Sequence, residues 1–131
     1  QAPNYQAHLA TLERELDLLH VEIMNRLGGC KGKCIFLYHP AWGYFCDTYG
    51  LKQMAIEAEG KEPSDEELTR IQALMRENGA KTIFVQPQIA GRAVAPVARA
   101  VGAEVKILDP LARDILKNLR AAADIIWESF Q

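Results

Sequence analysis

The sequence carries little that would tie it to a membrane, a nucleic acid or a nucleotide. No stretch approaches the roughly 18 uninterrupted apolar residues of a membrane span, so a soluble domain is expected. There is no long basic run, and 15 Lys and Arg against 17 Asp and Glu leave a net charge of −2. Without an electrostatic footprint, nucleic acid and anionic membrane surfaces are not expected as partners. Cysteine is scarce and odd in number. Cys30, Cys34 and Cys46 fall within 17 residues and suit neither a multi-disulfide scaffold nor a paired C-x-x-C knuckle. No G-x-G-x-x-G follows a candidate strand, which argues against a dinucleotide. The run GGCKGKC lacks the spacing of a phosphate-binding loop and precedes a strand instead of following one. Repeats and low-complexity tracts are absent. The opening Gln1, with no Met and no charged-then-apolar export segment, reads as the start of a processed or trimmed piece of something longer.

What is present is enough for one packed domain. The 131 residues leave room for a single core, and 49% hydrophobic with 24% charged residues excludes a disordered chain. Tyr5, Leu9, Leu12, Leu16, Leu19, Ile23 and Leu27 recur in steps of three and four, the stripe of one helix over 5–27, and Gly28-Gly29 stops it. Such a helix is about 35 Å long, against a radius of gyration of about 13 Å for a domain of about 100 residues. It is expected either to cover one whole face or to act as a strut whose far end packs against something outside this chain.

Short apolar runs then alternate with helical patterns, as in a parallel sheet with crossover helices. Strands are expected over Cys34–Tyr38, Leu51–Glu57, Lys81–Val85 and Glu104–Leu108. A short aromatic helix ends near Tyr49-Gly50. Ser64 with Glu67 forms a capping box that starts a helix with Leu68, Ile71, Leu74 and Met75 inward. Ala93–Val101 is a further helix, in which Pro96 predicts a late start or a kink. Asp109-Pro110 is expected to open the last helix, with Leu111, Ile115, Leu119, Ala122, Ile126 and Phe130 on its inner face. The fold class is therefore α/β: a four-stranded parallel sheet with helices on both faces, preceded by one long helix.

Ligands of open α/β sheets sit outside the carboxyl ends of the strands. The residues just past those ends are His39, Glu57 with Glu59, Gln86 and Asp109. His39 and Asp109, 70 positions apart, offer a nitrogen and an oxygen ligand, which is half a site for zinc or manganese. Each has a plainer reading. Asp109 before Pro110 suits a helix cap, and His39 suits a hydrogen-bonded structural histidine. Glu57, Glu59 and Gln86 read as loop groups, with Gln86 able to orient a ligand. Trp42, Tyr44, Phe45 and Tyr49 read as core and loop packing, and His8 and His20 as surface residues. Cys30 and Cys34 suit a disulfide, free thiols or, with His39 or Cys46, a soft metal site, and Cys46 near His39 is the one sequence-local thiol–base pair.

The segment YHPAWGYFCDTYGLKQMAIEAEGKEPSDEEL, with IFVQPQ and VKILDPL, resembles the C-terminal lobe of the solute receptors that feed zinc and manganese ABC transporters. The likeness runs from about Lys33 to the end, three quarters of the chain. In that family two α/β lobes are joined by one long helix, and a metal ion is held between them. The resemblance implies that residues 1–28 are the connecting helix and 29–131 the C-terminal metal-binding lobe, with the N-terminal lobe and its two histidine ligands absent. It implies His39 and Asp109 as this lobe's ligands, and a non-enzymatic, periplasmic or otherwise extracytoplasmic receptor that delivers metal to a membrane permease. His39 stands where manganese members carry a carboxylate, so Zn2+ is expected before Mn2+. The family has Glu where this chain has Gln86, and the three cysteines lie outside its pattern.

Two other classes compete with this reading. One is a small flavodoxin-like thiol redox or cysteine-dependent enzyme domain using Cys46 or the Cys30/Cys34 pair. The other is an interaction module in which the Leu9/Leu12/Leu16 stripe pairs with a partner or with a second copy of the chain.

Overall fold

A computed structural model describes residues 2–57, 61–88, 91–110 and 113–131. In chain order it contains α1 (Ala2–Leu27), a 3-10 turn (Gly28–Cys30), β1 (Cys34–Leu37), α2 (Gly43–Tyr49), β2 (Lys52–Ala55), α3 (Asp65–Glu77), β3 (Thr82–Val85), α4 (Gly91–Val101), β4 (Glu104–Ile107) and α5 (Ile115–Ser129). The strands form one parallel sheet in the order β2-β1-β3-β4. Side-chain alternation along β1 explains why both faces are covered. Ile35 and Leu37 pack with Leu19, Ile23 and Leu27 of α1 and Ile126 of α5. Cys34 and Phe36 turn the other way, towards Ile71 and Met75 of α3 and Val97 of α4. β1 and β3 are buried throughout, whereas β4 is an exposed edge.

Leu37 lies beside Ala55 on one side and Phe84 on the other, and Phe84 beside Lys106. The carboxyl ends of all four strands therefore emerge along one edge. The chain steps from β1 outward to β2 and then crosses back to β3, so the sheet changes its direction of growth between β1 and β3. In this architecture that switch point is where a crevice opens.

Local chemistry sets the element ends. Ser64 Oγ accepts the Glu67 N–H at 3.2 Å and donates to Glu67 Oε1 at 3.1 Å, so Ser64 caps the helix as the sequence predicts, with Glu67 closing on its hydroxyl. α2 ends at Gly50, whose φ of 74° is left-handed, and whose N–H bonds Cys46 O. The turn brings Gly50 O to the Gly32 N–H at 2.7 Å.

Three expectations are corrected. β2 is shorter than the apolar run Leu51–Glu57, because Ile56 and Glu57 leave the strand while still bonding β1. α4 begins at Gly91, earlier than Pro96 suggests; the ring removes only the bond to residue 92, in the helix's first turn. α5 opens at Ile115 and not at Asp109-Pro110, because Asp114 takes the cap: its carboxylate accepts the Lys117 N–H at 3.1 Å. Leu111, expected on this helix, lies outside the described residues.

The long helix divides in two. Leu19, Ile23 and Leu27 are buried against α5 and the sheet, whereas residues 4–18 are exposed throughout. Tyr5 (70% exposed), Leu9, Leu12 and Leu16 continue the same stripe with nothing upon it. At 1.5 Å per residue, about 25 Å of helix projects beyond the packed domain. This excludes the reading in which the helix covers one face along its whole length. No helix among the described residues is long and apolar enough to cross a membrane.

Candidate functional site

The backbone brackets His39 from both sides. Its neighbour Tyr38 donates its N–H to Phe84 O of β3 at 2.9 Å, and Tyr38 O accepts the Glu57 N–H at 3.0 Å. Across the short loop that follows, the Trp42 N–H is held by Gln53 Oε1 at 2.9 Å. Gln86 stands directly after β3 and is half-buried. Asp109 follows Leu108, whose N–H bonds Val85 O at 2.9 Å. Glu59 lies outside the described residues.

Of the residues singled out, His39, Glu57, Gln86 and Asp109 share the carboxyl edge of the sheet, at or beside the switch point. β3 alone separates β1 from β4, so the backbones carrying His39 and Asp109 are about 10 Å apart, two strand spacings. Asp109 accepts from Gln88 Nε2 through Oδ1 at 3.4 Å, and its carbonyl accepts from Asn118 Nδ2 at 2.6 Å. The helix-cap reading of Asp109 is set aside, since Asp114 caps α5.

Glu57 is the residue the sequence undervalued. It is not a solvated loop group: its carboxylate, 14% exposed, is hydrogen-bonded through Oε1 to Nδ1 of His39, itself half exposed. Eighteen positions separate the two, and only the adjacency of β1 and β2 joins them. The signal available was that both directly follow paired strands. Burial, then the charges of Glu57 and Glu62, push the Tyr38 phenol above its ordinary range. The smaller, electrostatic part of that shift comes from the carboxylates of Glu57 and Glu62. Among the described residues no three His, Cys, Asp or Glu side chains are grouped as a metal cage.

Trp42, Phe45 and Tyr49 pack as expected, whereas Tyr44 is 88% exposed. Trp42 meets Phe45 edge-on at 5.5 Å, and Phe45 meets Tyr49 at 4.8 Å. A hollow of about 170 Å³ between the His39 and Asp109 loops is lined by Trp42, Tyr44, Pro110 and Ile115 among others. His8 is exposed; so is His20, but its Nδ1 lies 3.1 Å from the Tyr49 hydroxyl and ties α1 to α2.

All three cysteines are buried free thiols. Burial, aided by the charges of Asp47 and Cys34, pushes Cys46 up to about 12. Burial also raises Cys34, with Lys52 opposing. A thiolate nucleophile is disfavoured at both.

Compared with known proteins, residues 1–128 match the family described as zinc-uptake complex component A, periplasmic. The chain belongs to this family. A putative metal-binding protein of Chlamydia trachomatis is 28% identical over 120 residues, covering 91% of this chain and 44% of that protein. The high-affinity zinc uptake system protein ZnuA of Haemophilus influenzae is 28% identical over 106 residues, covering 79% of this chain and 32% of that protein. A crystal structure of ZnuA superposes with a TM-score of 0.88 at 35% identity, covering 97% of this chain and 50% of the other. The chain thus spans half or less of the length of these relatives. The family resemblance carried by the HPAWGYF and LDPL blocks is borne out, and so is the α/β class.

Proposed function

We propose that this chain is the C-terminal, metal-binding lobe of an extracytoplasmic zinc receptor that passes the ion to an ABC permease. It is a carrier and catalyses no reaction. His39 and Asp109 are its ligands, and Zn2+, with Mn2+ as the second choice, is the cargo. The observation that carries this reading is that His39 and Asp109, 70 positions apart in the sequence, follow strands whose carboxyl ends lie along one edge of the sheet, beside the switch point. A borderline nitrogen and a hard oxygen form half of the three- or four-ligand shell that zinc favours. The other half would come from an N-terminal lobe of the whole protein, to which residues 1–28 connect as a strut. The projecting stripe from Tyr5 to Leu16 supports this, as does the half-length match to relatives whose names describe zinc uptake.

Calorimetric titration of zinc tests the reading on four proteins: this chain, its His39→Ala and Asp109→Ala variants, and the chain joined to an N-terminal lobe. Weak binding by the chain, weaker binding by both variants and tight binding by the two-lobe form are expected. Equally tight binding by all four would overturn it.

A further inference from the structure

We infer that Glu57 is the positioning residue for His39: it fixes the imidazole with Nδ1 protonated and leaves Nε2 as the nitrogen offered to a cation. The inference rests on His39 being a ligand and goes beyond it by naming the group that prepares it. An ionised carboxylate can only accept hydrogen bonds, so in the pair seen here the proton sits on Nδ1. In the neutral ring the lone pair then lies on Nε2, on the side of the ring away from Glu57. A carboxylate behind a ligating histidine holds the ring's angle and raises its basicity, and removing such a partner typically costs 10–100-fold in metal affinity.

The surroundings indicate that the pair is set before any ion arrives. Glu57 is fixed by its own backbone, through its N–H to Tyr38 O at 3.0 Å and through the preceding Ile56 N–H to Leu37 O at 2.8 Å. The carbonyl that holds Glu57 belongs to the residue immediately before His39, so the two side chains start from backbones already bonded together. Gln53 of β2 holds the far end of the His39 loop at Trp42, so β2 and the residues just after it tie that loop at both ends. A carboxylate only 14% exposed has lost much of its water, and the imidazole N–H is the contact that offsets this. Among the described residues no Lys or Arg pairs with Glu57. Its effect passes through His39.

The test uses the chain with Glu57→Ala, Glu57→Gln and His39→Ala variants. Nitrogen-15 NMR of His39, without metal at pH 8.5 where imidazoles are neutral, reads the tautomer directly. The unchanged chain should carry its proton on Nδ1. Glu57→Ala should shift His39 towards the Nε2-protonated form and weaken zinc binding about 10–100-fold. Glu57→Gln, which retains an acceptor without the charge, should keep the tautomer and lose less affinity. A proton on Nε2 in the unchanged chain would overturn the inference. So would Glu57→Ala binding zinc as tightly as the unchanged chain while His39→Ala binds it more weakly. If His39→Ala also binds as tightly, the ligand reading itself falls, and the metal-free tautomer still reports separately on the pair. A purely structural Glu57 would change the melting temperature of its variants and leave the tautomer where it was.

Discussion

The carboxylate of Asp114 accepts the Lys117 N–H at 3.1 Å, while Asp109, five residues earlier, ends the β4 segment with its Oδ1 on the amide of Gln88. Of the two carboxylates, that of Asp114 caps the helix. Asp114→Ala should therefore lower stability by about 1 kcal/mol and leave zinc binding unchanged. Asp109→Ala should weaken zinc binding at a smaller cost in stability. Urea melts paired with zinc calorimetry separate the two; the opposite pattern would exchange the roles.

The buried and exposed parts of α1 should respond differently to the same truncation. Ile23 is 1% exposed, and Ile23→Ala should cost about 2–5 kcal/mol. Leu12 is 45% exposed, so Leu12→Ala should fall within about 0.5 kcal/mol of the unchanged chain. Urea unfolding of both variants checks this. The comparison is made on the dilute, monomeric chain, where a large loss at Leu12 would mean that the chain's own fold covers the stripe.

That stripe should also make the isolated chain self-associate. Light scattering is expected to show twice the 14.6 kDa of one chain, reverting to one when Leu9, Leu12 and Leu16 are changed to Lys. A monomer at high concentration would count against an uncovered apolar seam.

Thiol titration supplies a pH prediction. Cys46 ionises near 9 when unfolded and is pushed up to about 12 by burial when folded. Between those values the unfolded chain releases a proton that the folded chain keeps, so stability falls as pH rises. Denaturation series at pH 8, 9 and 10 should show this decline, and Cys46→Ala should flatten it relative to its own value at pH 8. At pH 8, before denaturant is added, thiol reagents should label the cysteines slowly.

Gly50→Ala should destabilise the chain by about 1–2 kcal/mol, because an L side chain at φ 74° is strained. The new Cβ would also stand 3.3 Å from Lys31 Cγ. Thermal melts check this, with Gly29→Ala, where nothing lies within 4 Å, as the comparison.

Much of the fold was legible because it is written in short-range periodicity. The step of three and four along α1, the Ser64 cap and the apolar runs of β1 and β3 each act within a few residues, and each appears where expected. The start of α5 was not legible. Asp109-Pro110 and Asp114 are both acceptable caps by local chemistry, and the choice was made at a distance. Asn118, one turn into the helix, holds the Asp109 carbonyl in the preceding loop.

The sequence by itself determined the α/β class, the long leading helix and the set of residues at the strand ends, because these follow from patterning and from parallel connection. His39 and Asp109 were in that set. Tertiary structure alone decided that β1 lies next to β2 and only one strand from β4, and so which members of the set touch. The pairing of His39 with Glu57 arises there: a hydrogen bond across neighbouring strands depends on strand order and register, which no spacing along the chain encodes. The same holds for α1, whose uniform stripe could not reveal where its packing stops. That point is set by the width of the domain against which it lies.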